Sequence, residues 1–225
     1  AYALHGVHGR ALPVGTGVKL ANPELEVMVA GGDGDGFSIG AVHFVHAVRR
    51  NLDMTYIVMD NRIYGLTKGQ ASPTSRADFE TATTPDGPQQ PPVNPLALAL
   101  AAGGTFIAQT FATDAKRHAE IVQAAIEHDG FGFVNVFSPC VTFNDVDTYE
   151  YFRGNLVDVA DQGHDPTDYD AATSVIMDRE QEYQGILWQD EGSVSYHRQH
   201  GVTAPMVDIG TGAPDGAMDL VREFY

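Results

Sequence analysis

Glu26–Ala30 (EVMVA) runs into Gly31-Gly32-Asp33-Gly34-Asp35, and Met54–Met59 (MTYIVM) runs into Asp60-Asn61. These two stretches decide the fold. Each is a short, continuous apolar run of the kind that forms a strand buried on both faces, and each stops at Gly, Asp or Asn. Between them Ser38–Arg50 carries helical periodicity. Outward from this strand–helix–strand unit the alternation continues. Pro95–Ala102 reads as a helix, Thr105–Gln109 as a strand, Asp114–His128 as an amphipathic helix and Phe131–Phe137 as a further apolar strand. Strands alternating with helices predict an α/β fold, a doubly wound, mostly parallel sheet. Residues 62–92 are polar and rich in Thr, Ser, Pro and Gln, and read as a long loop of the functional kind.

In an open parallel sheet, ligands bind beyond the carboxyl ends of the strands. Gly32 and Gly34 remove side chains where the backbone turns and approaches a phosphate, and the following helix aims its amide-rich N-terminus at it. Asp33 offers an anionic oxygen and Asn61 a neutral one, 28 residues apart, from the ends of two strands. Hard oxygens beside a phosphate suit Mg²⁺. A diphosphate anchored by Mg²⁺ is the direct inference. A lone GDG is also an ordinary strand–helix turn with Asp33 as a cap. The pairing with Asn61 makes the signal specific.

The 225 residues amount to one large domain, or one domain with a long tail. Hydrophobic residues make up 43%, enough for a sizeable core. The net charge of −17 repels nucleic acid and anionic membranes, so neither is an expected partner. No apolar run reaches the length of a membrane span, no signal segment is visible, and one cysteine fits a reducing cytoplasm. Twenty Asp and ten Glu stand against ten Arg and only three Lys, a balance shared by proteins of salt-rich cytoplasm and by ordinary acidic proteins. After Val141 the periodicity weakens; Ala171–Glu180 reads as a helix and Gly185–Gln189 as a short strand. The tail around Gly210, Gly212, Pro214 and Gly216 reads as an extended arm, with Trp188 in the core of the C-terminal part. His43, His46 and His118 sit at helical spacing and read as packed or surface residues. The chain opens on Ala1 and reaches the loop His5–Arg10 almost at once, so the natural protein is expected to extend upstream.

GDG, 25 residues and then Asp60-Asn61 resembles the thiamine-diphosphate-binding domain of thiamine-dependent enzymes, whose motif ends in Asn-Asn. Asp60 departs from that pattern; Asn61, the metal-ligand position, keeps it. Residues 6–17 resemble the loop and helix that lie beside the cofactor in the same superfamily. HGVHGRALP (5–13), GDGDGFSIG (32–40), DNRIYGLTKGQASPTS (60–75) and SPCVTFND (138–145) together resemble the beta subunit of 2-oxoacid:ferredoxin oxidoreductases, in particular the 2-oxoglutarate type.

The resemblance implies oxidative decarboxylation of a 2-oxoacid with coenzyme A, giving an acyl-CoA, CO₂ and reduced ferredoxin. It implies residues 1–145 as the thiamine-diphosphate and Mg²⁺ domain, and 146–225 as an extension packing on that domain or on a partner. Asp33, Asn61 and the Ile63 carbonyl would hold Mg²⁺. Gly32, Gly34, Asp35, Gly65 and Leu66 would line the cofactor. His8 and His5 would serve in proton transfer, and Lys68 would pair with a substrate carboxylate. Leu66-Thr67-Lys68 favours 2-oxoglutarate or a broad range of 2-oxoacids over pyruvate alone. Cys140 matches a ligand of a [4Fe-4S] cluster whose other cysteines lie upstream in family members and are absent from this sequence. The glutamate that activates the cofactor would come from an alpha subunit, so the expected assembly is an alpha–beta heterodimer or its dimer, inactive as beta alone. Two other readings stand beside this one: a non-redox thiamine enzyme of the acetolactate-synthase or decarboxylase kind, and a non-catalytic scaffold subunit that binds Mg²⁺–diphosphate.

Overall fold

A computed structural model describes residues 2–209. The arm expected around Gly210–Gly216 lies outside the described residues. Helix α1 (Ala11–Ala21) leads to strand β1 (Met28–Gly32), a wide helical turn (Asp35–Ile39) and α2 (Ala41–Arg50). β2 (Met54–Asp60) follows. Next come a small ribbon, β3 (Ile63–Tyr64) with β4 (Gln70–Ala71), and then α3 (Pro95–Ala101). β5 (Phe106–Phe111), α4 (Ala115–Glu127) and β6 (Phe131–Phe137) complete the part with strong sequence periodicity. Beyond it lie α5 (Tyr149–Asn155), β7 (Leu156–Asp158), α6 (Tyr169–Met177), β8 (Glu182–Gln189), α7 (Tyr196–Gln199) and α8 (Met206–Ile209).

Six strands form one sheet in the order β1-β2-β6-β5-β8-β7. The first four are parallel and β8 alone runs antiparallel to its neighbour β5. Every residue of β5 and β6 is buried, which is why these strands are mostly apolar, with Gln109, Thr110 and Asn135 as their buried polar residues. The chain passes from β2 to β5 and returns to lay β6 between them, so the ends of β1, β2 and β6 face one crevice.

Under that crevice lies an aromatic core. Phe44 is fully buried and meets Phe37 edge-on at 5.3 Å and Phe133 at 4.9 Å. Phe37 belongs to the wide turn after Asp33, so the turn is bolted to the sheet. Two glycines of α1 show how closely that helix packs. A Cβ on Gly15 would lie 2.6 Å from Val29 Cγ2 of β1, whereas Gly17 faces open space. Gly17→Ala is therefore expected to stabilise the fold by about 0.5–1 kcal/mol, by removing the glycine's helix penalty and unfolded-state freedom. Gly15→Ala is expected to destabilise it. Urea denaturation of the two variants side by side checks the sign of each.

The region after Val141 departs from the weak pattern read in its sequence. Its strands β7 and β8 continue the main sheet, and Trp188 donates from Nε1 to the Gly104 carbonyl at 2.8 Å. The expected helix Ser38–Arg50 is split: a π-type turn occupies Asp35–Ile39, and α2 begins at Ala41.

Candidate functional site

Asp33 starts the first helical turn immediately after β1, and Asp60 ends β2. Both carboxylates are buried. The long loop folds back between them: Thr74 Oγ1 lies 2.8 Å from Asp33 Oδ2 and 2.9 Å from Asp60 Oδ1. A hydroxyl has one proton, so it donates to only one of the two acids. Asp60 also receives Asn135 Nδ2 at 3.2 Å and the Arg62 amide at 3.1 Å. Asp33 receives the Asn61 amide at 3.4 Å. Burial, and then the neighbouring Asp60, push the Asp33 carboxyl up to about 7. Asp60 is also raised, chiefly by burial. Two buried acids sharing one hydroxyl make a pocket in which ionising both carries a cost. A divalent cation would relieve it, and the donor types present (the Asp33 carboxylate, the Asn61 carboxamide and backbone carbonyls) are those Mg²⁺ takes.

Asn61 folds its Oδ1 back onto the Ile63 amide at 3.1 Å. The residue between them, Arg62, has φ +56°. Gly32 and Gly34 serve different purposes. A Cβ on Gly32 would meet nothing closer than the Met59 carbonyl at 3.9 Å, so this side of the chain is open. A Cβ on Gly34 would enter the Tyr64 ring, 2.6 Å from Cζ. Gly34 is thus glycine because Tyr64 packs over it and donates its hydroxyl to the Gly34 carbonyl at 3.1 Å. Asp35 reaches the N-terminal loop: its Oδ1 accepts the Gly9 amide at 2.5 Å and lies 3.7 Å from His8 Nδ1. His8 also faces the Tyr64 ring, at 6.3 Å between centroids.

The structure therefore brings Gly32, Asp33, Gly34, Asp35, Asn61 and Ile63 together with His8. His5 lies in the exposed segment before that loop. Gly65, Leu66 and Lys68 form the tip joining β3 to β4. Leu66 is fully exposed and Lys68 is exposed with φ +78°. Cys140 is a free thiol beside this tip: a Cβ on Gly65 would stand 3.6 Å from its Sγ. Sequence reasoning missed Thr74, Asn135, Asn144 and Asp147. Asn144 donates its Nδ2 to the Asn61 carbonyl at 3.2 Å, and its Oδ1 accepts the Asp147 amide at 2.8 Å. The signals for Thr74 are its place in an unusually long loop and in the stretch 60–75 that carries the resemblance. Among the described residues no cluster of three His, Cys, Asp or Glu is arranged to hold a metal, and no helix is long and apolar enough to cross a membrane.

Residues 1–136 match the family of thiamine pyrophosphate enzymes through its C-terminal, cofactor-binding domain, and residues 140–204 match the C-terminal part of pyruvate ferredoxin oxidoreductase beta subunits. The chain is 50% identical over 152 residues to the 2-oxoacid:ferredoxin oxidoreductase beta subunit of Saccharolobus solfataricus, covering 68% of this chain and 50% of that one. It is 45% identical over 144 residues to a 2-oxoglutarate oxidoreductase subunit of Mycobacterium tuberculosis, covering 64% of this chain and 39% of that one. The chain spans about half the length of the curated relatives it matches. Among solved structures, the 2-oxoglutarate:ferredoxin oxidoreductase of Magnetococcus marinus, with 2-oxoglutarate, coenzyme A and succinyl-CoA bound, superposes with a TM-score of 0.88 at 40% identity. That match covers 98% of this chain and 76% of the other.

Proposed function

The chain belongs to the thiamine-pyrophosphate-binding beta subunits of the 2-oxoacid:ferredoxin oxidoreductases, and from that premise we propose that, assembled with an alpha subunit, it oxidatively decarboxylates 2-oxoglutarate or a related 2-oxoacid to the acyl-CoA, passing electrons to ferredoxin. The observation that carries this reading is the buried acid pair Asp33 and Asp60, sharing the one Thr74 hydroxyl at the ends of β1 and β2, with Asn61 beside it.

When bound, thiamine diphosphate supplies the nucleophile and electron sink that decarboxylation needs. This chain's residues hold and orient it. Asp33, Asn61 and the Ile63 carbonyl take Mg²⁺, while Gly32, Gly34, Asp35, Gly65 and Leu66 line the cofactor. Asp35 also holds the loop carrying His8, whose imidazole is placed to hold or pass a proton; His5 has the same role from further out. Cys140, the one cysteine of the sequence, supplies one of the four ligands that a [4Fe-4S] cluster takes, and the others come from outside this sequence. An alpha subunit supplies the acid that activates the cofactor. The setting is the cytoplasm, where a lone thiol stays reduced.

The test is CoA-dependent reduction of a low-potential dye by the anaerobically purified assembly, with bound thiamine diphosphate quantified. Reduction with 2-oxoglutarate is expected. Bound cofactor without reduction by 2-oxoglutarate or pyruvate would move the function to non-redox thiamine chemistry. Lys68 holds a left-handed backbone that a non-glycine residue adopts only at a cost, a feature that clusters at functional sites. Lys68→Ala is expected to raise KM for 2-oxoglutarate about tenfold, the order of one lost ion pair, and to change KM for pyruvate much less. Equal shifts for both acids would remove Lys68 from recognition of the second carboxylate.

A further inference from the structure

Arg62 sits between Asn61 and Ile63, two of the three residues assigned to the metal, and its amide, its carbonyl and both terminal guanidinium nitrogens are held. Its amide donates to Asp60 Oδ1 at 3.1 Å, and its carbonyl accepts the Ser75 hydroxyl at 2.5 Å. Its guanidinium donates from Nη1 to Asp147 at 2.8 Å and from Nη2 to Glu182 at 2.6 Å. The same guanidinium carbon stands 5.1 Å above the Phe137 ring and 5.3 Å from that of Phe152. Asp147 is buried and also accepts Arg76 Nε at 2.9 Å, while Asn144, three residues before it, binds the Asn61 carbonyl. The loop after β6 and strand β8 thus grip the chain between Asn61 and Ile63 by side chain and backbone together. At φ +56° this is a position where glycine would relax the backbone, yet an arginine occupies it. What the arginine adds is the clamp.

We propose that Arg62, anchored by Asp147 and Glu182, is a positioning residue for metal binding: it fixes the left-handed turn that aims Asn61 and the Ile63 carbonyl at one point. The proposal rests on the reading of Asp33, Asn61 and Ile63 as the Mg²⁺ ligands. It makes the part of the chain after β6, through Asn144, Asp147 and Glu182, part of the cofactor site without touching the cofactor.

The test measures thiamine diphosphate retained by the assembled protein in equilibrium dialysis as Mg²⁺ is varied, at a temperature where circular dichroism shows each variant folded. Arg62→Lys keeps the charge, but one ammonium cannot span both carboxylates. The Mg²⁺ concentration for half-maximal retention is expected to rise about tenfold, equivalent to about 1.4 kcal/mol. Arg62→Gly frees the backbone but loses the clamp, and is expected to show the same rise. Should either variant fail to fold, Glu182→Gln trims one arm and should still raise the requirement, by about threefold. Arg117 makes a two-pronged pair with Asp158, at 2.9 and 2.8 Å, that includes none of the groups holding Arg62 or Asn61. Arg117→Lys should lower thermal stability and leave the Mg²⁺ requirement unchanged. If Arg62→Lys, Arg62→Gly and Glu182→Gln bind at the wild-type Mg²⁺ concentration, or if Arg117→Lys shifts it equally, the positioning role is overturned and the metal reading stands. If the wild-type protein retains no cofactor at any Mg²⁺ concentration, both fall.

Discussion

Asp33→Ala is expected to weaken Mg²⁺-dependent retention of thiamine diphosphate by at least about a hundredfold, because a methyl group cannot replace an anionic ligand to a cation that dehydrates reluctantly. The same substitution should not weaken the metal-free fold. In the unliganded protein Asp33 is a buried acid beside another buried acid, sharing one hydroxyl with it. Removing it leaves Asp60 with the Thr74 proton to itself and without its repulsive neighbour. Loss of binding without loss of stability is the signature of a residue kept for its ligand. Retention of the cofactor by the variant at wild-type Mg²⁺ would sink the metal assignment. A fall in metal-free stability would instead show that Asp33 is a structural hydrogen-bond acceptor.

The sign of the pH dependence follows from the same pair. Asp33 ionises near 3.8 in the unfolded chain and near 7 in the fold. Between those values the folded state keeps a proton that the unfolded state has released, so metal-free stability falls as pH rises from about 4 to about 7. Bound Mg²⁺ should oppose that trend, since it favours the ionised form. Thermal melts of wild type and Asp33→Ala in chelator, across this range, should show a shallower decline for the variant. Some slope remains because Asp60 is also raised. Parallel curves would mean that Asp33 carries no such penalty.

Much of this site was legible because a parallel sheet writes its interior plainly. β6 appears in the sequence as FGFVNVF since both its faces are covered, and β2 as MTYIVM, of which only Met59 is exposed. Asp33 and Asn61 could be placed because the ends of such strands share one edge. β1 runs two residues later than EVMVA: Gly31 and Gly32 look like a turn, yet they pair with Val58 and Met59 as strand. α5 and β7 lacked a readable period; β7 is three residues long and none of them is fully buried. β8 carries Gly185 at φ +129° near a register shift in its pairing with β5, which breaks the alternation. Thr74, Asn135, Asn144 and Asp147 reach the site by tertiary packing from loops and from the middle of β6. Thr74 and Asn144 lie in quoted motif stretches, but no local pattern announces which atoms they meet. Arg62 was visible only as a member of a motif, because its partners lie 85 and 120 residues away.

Gly40→Ala is expected to cost about 2–3 kcal/mol of stability, at the upper end of overpacking effects, and to lower cofactor affinity at the same time. Backbone freedom is not the reason: Gly40 has φ −88° and ψ −8°, which any residue adopts. The reason is the width of the turn before it. The Gly40 amide donates to the Asp35 carbonyl at 3.1 Å, a five-residue span that draws that oxygen under position 40. A Cβ there would overlap the Asp35 oxygen and lie 3.3 Å from the Gly36 oxygen. Those are backbone atoms, so relief requires the turn itself to open. Opening it moves Asp35, which holds the Gly9 amide and so the His8 loop, and Phe37, which packs on Phe44 and Phe133. One methyl group thereby reaches the N-terminal loop, the first helical turn and the aromatic core together. The same methyl at Gly17 meets nothing within 4 Å, which separates this collision from any general effect of alanine. Urea denaturation and cofactor dialysis on both variants decide the matter. A stable Gly40→Ala that holds thiamine diphosphate normally would mean the wide turn relaxes to an ordinary helix without moving Asp35. Loss of affinity with full stability would mean the turn matters to the ligand alone.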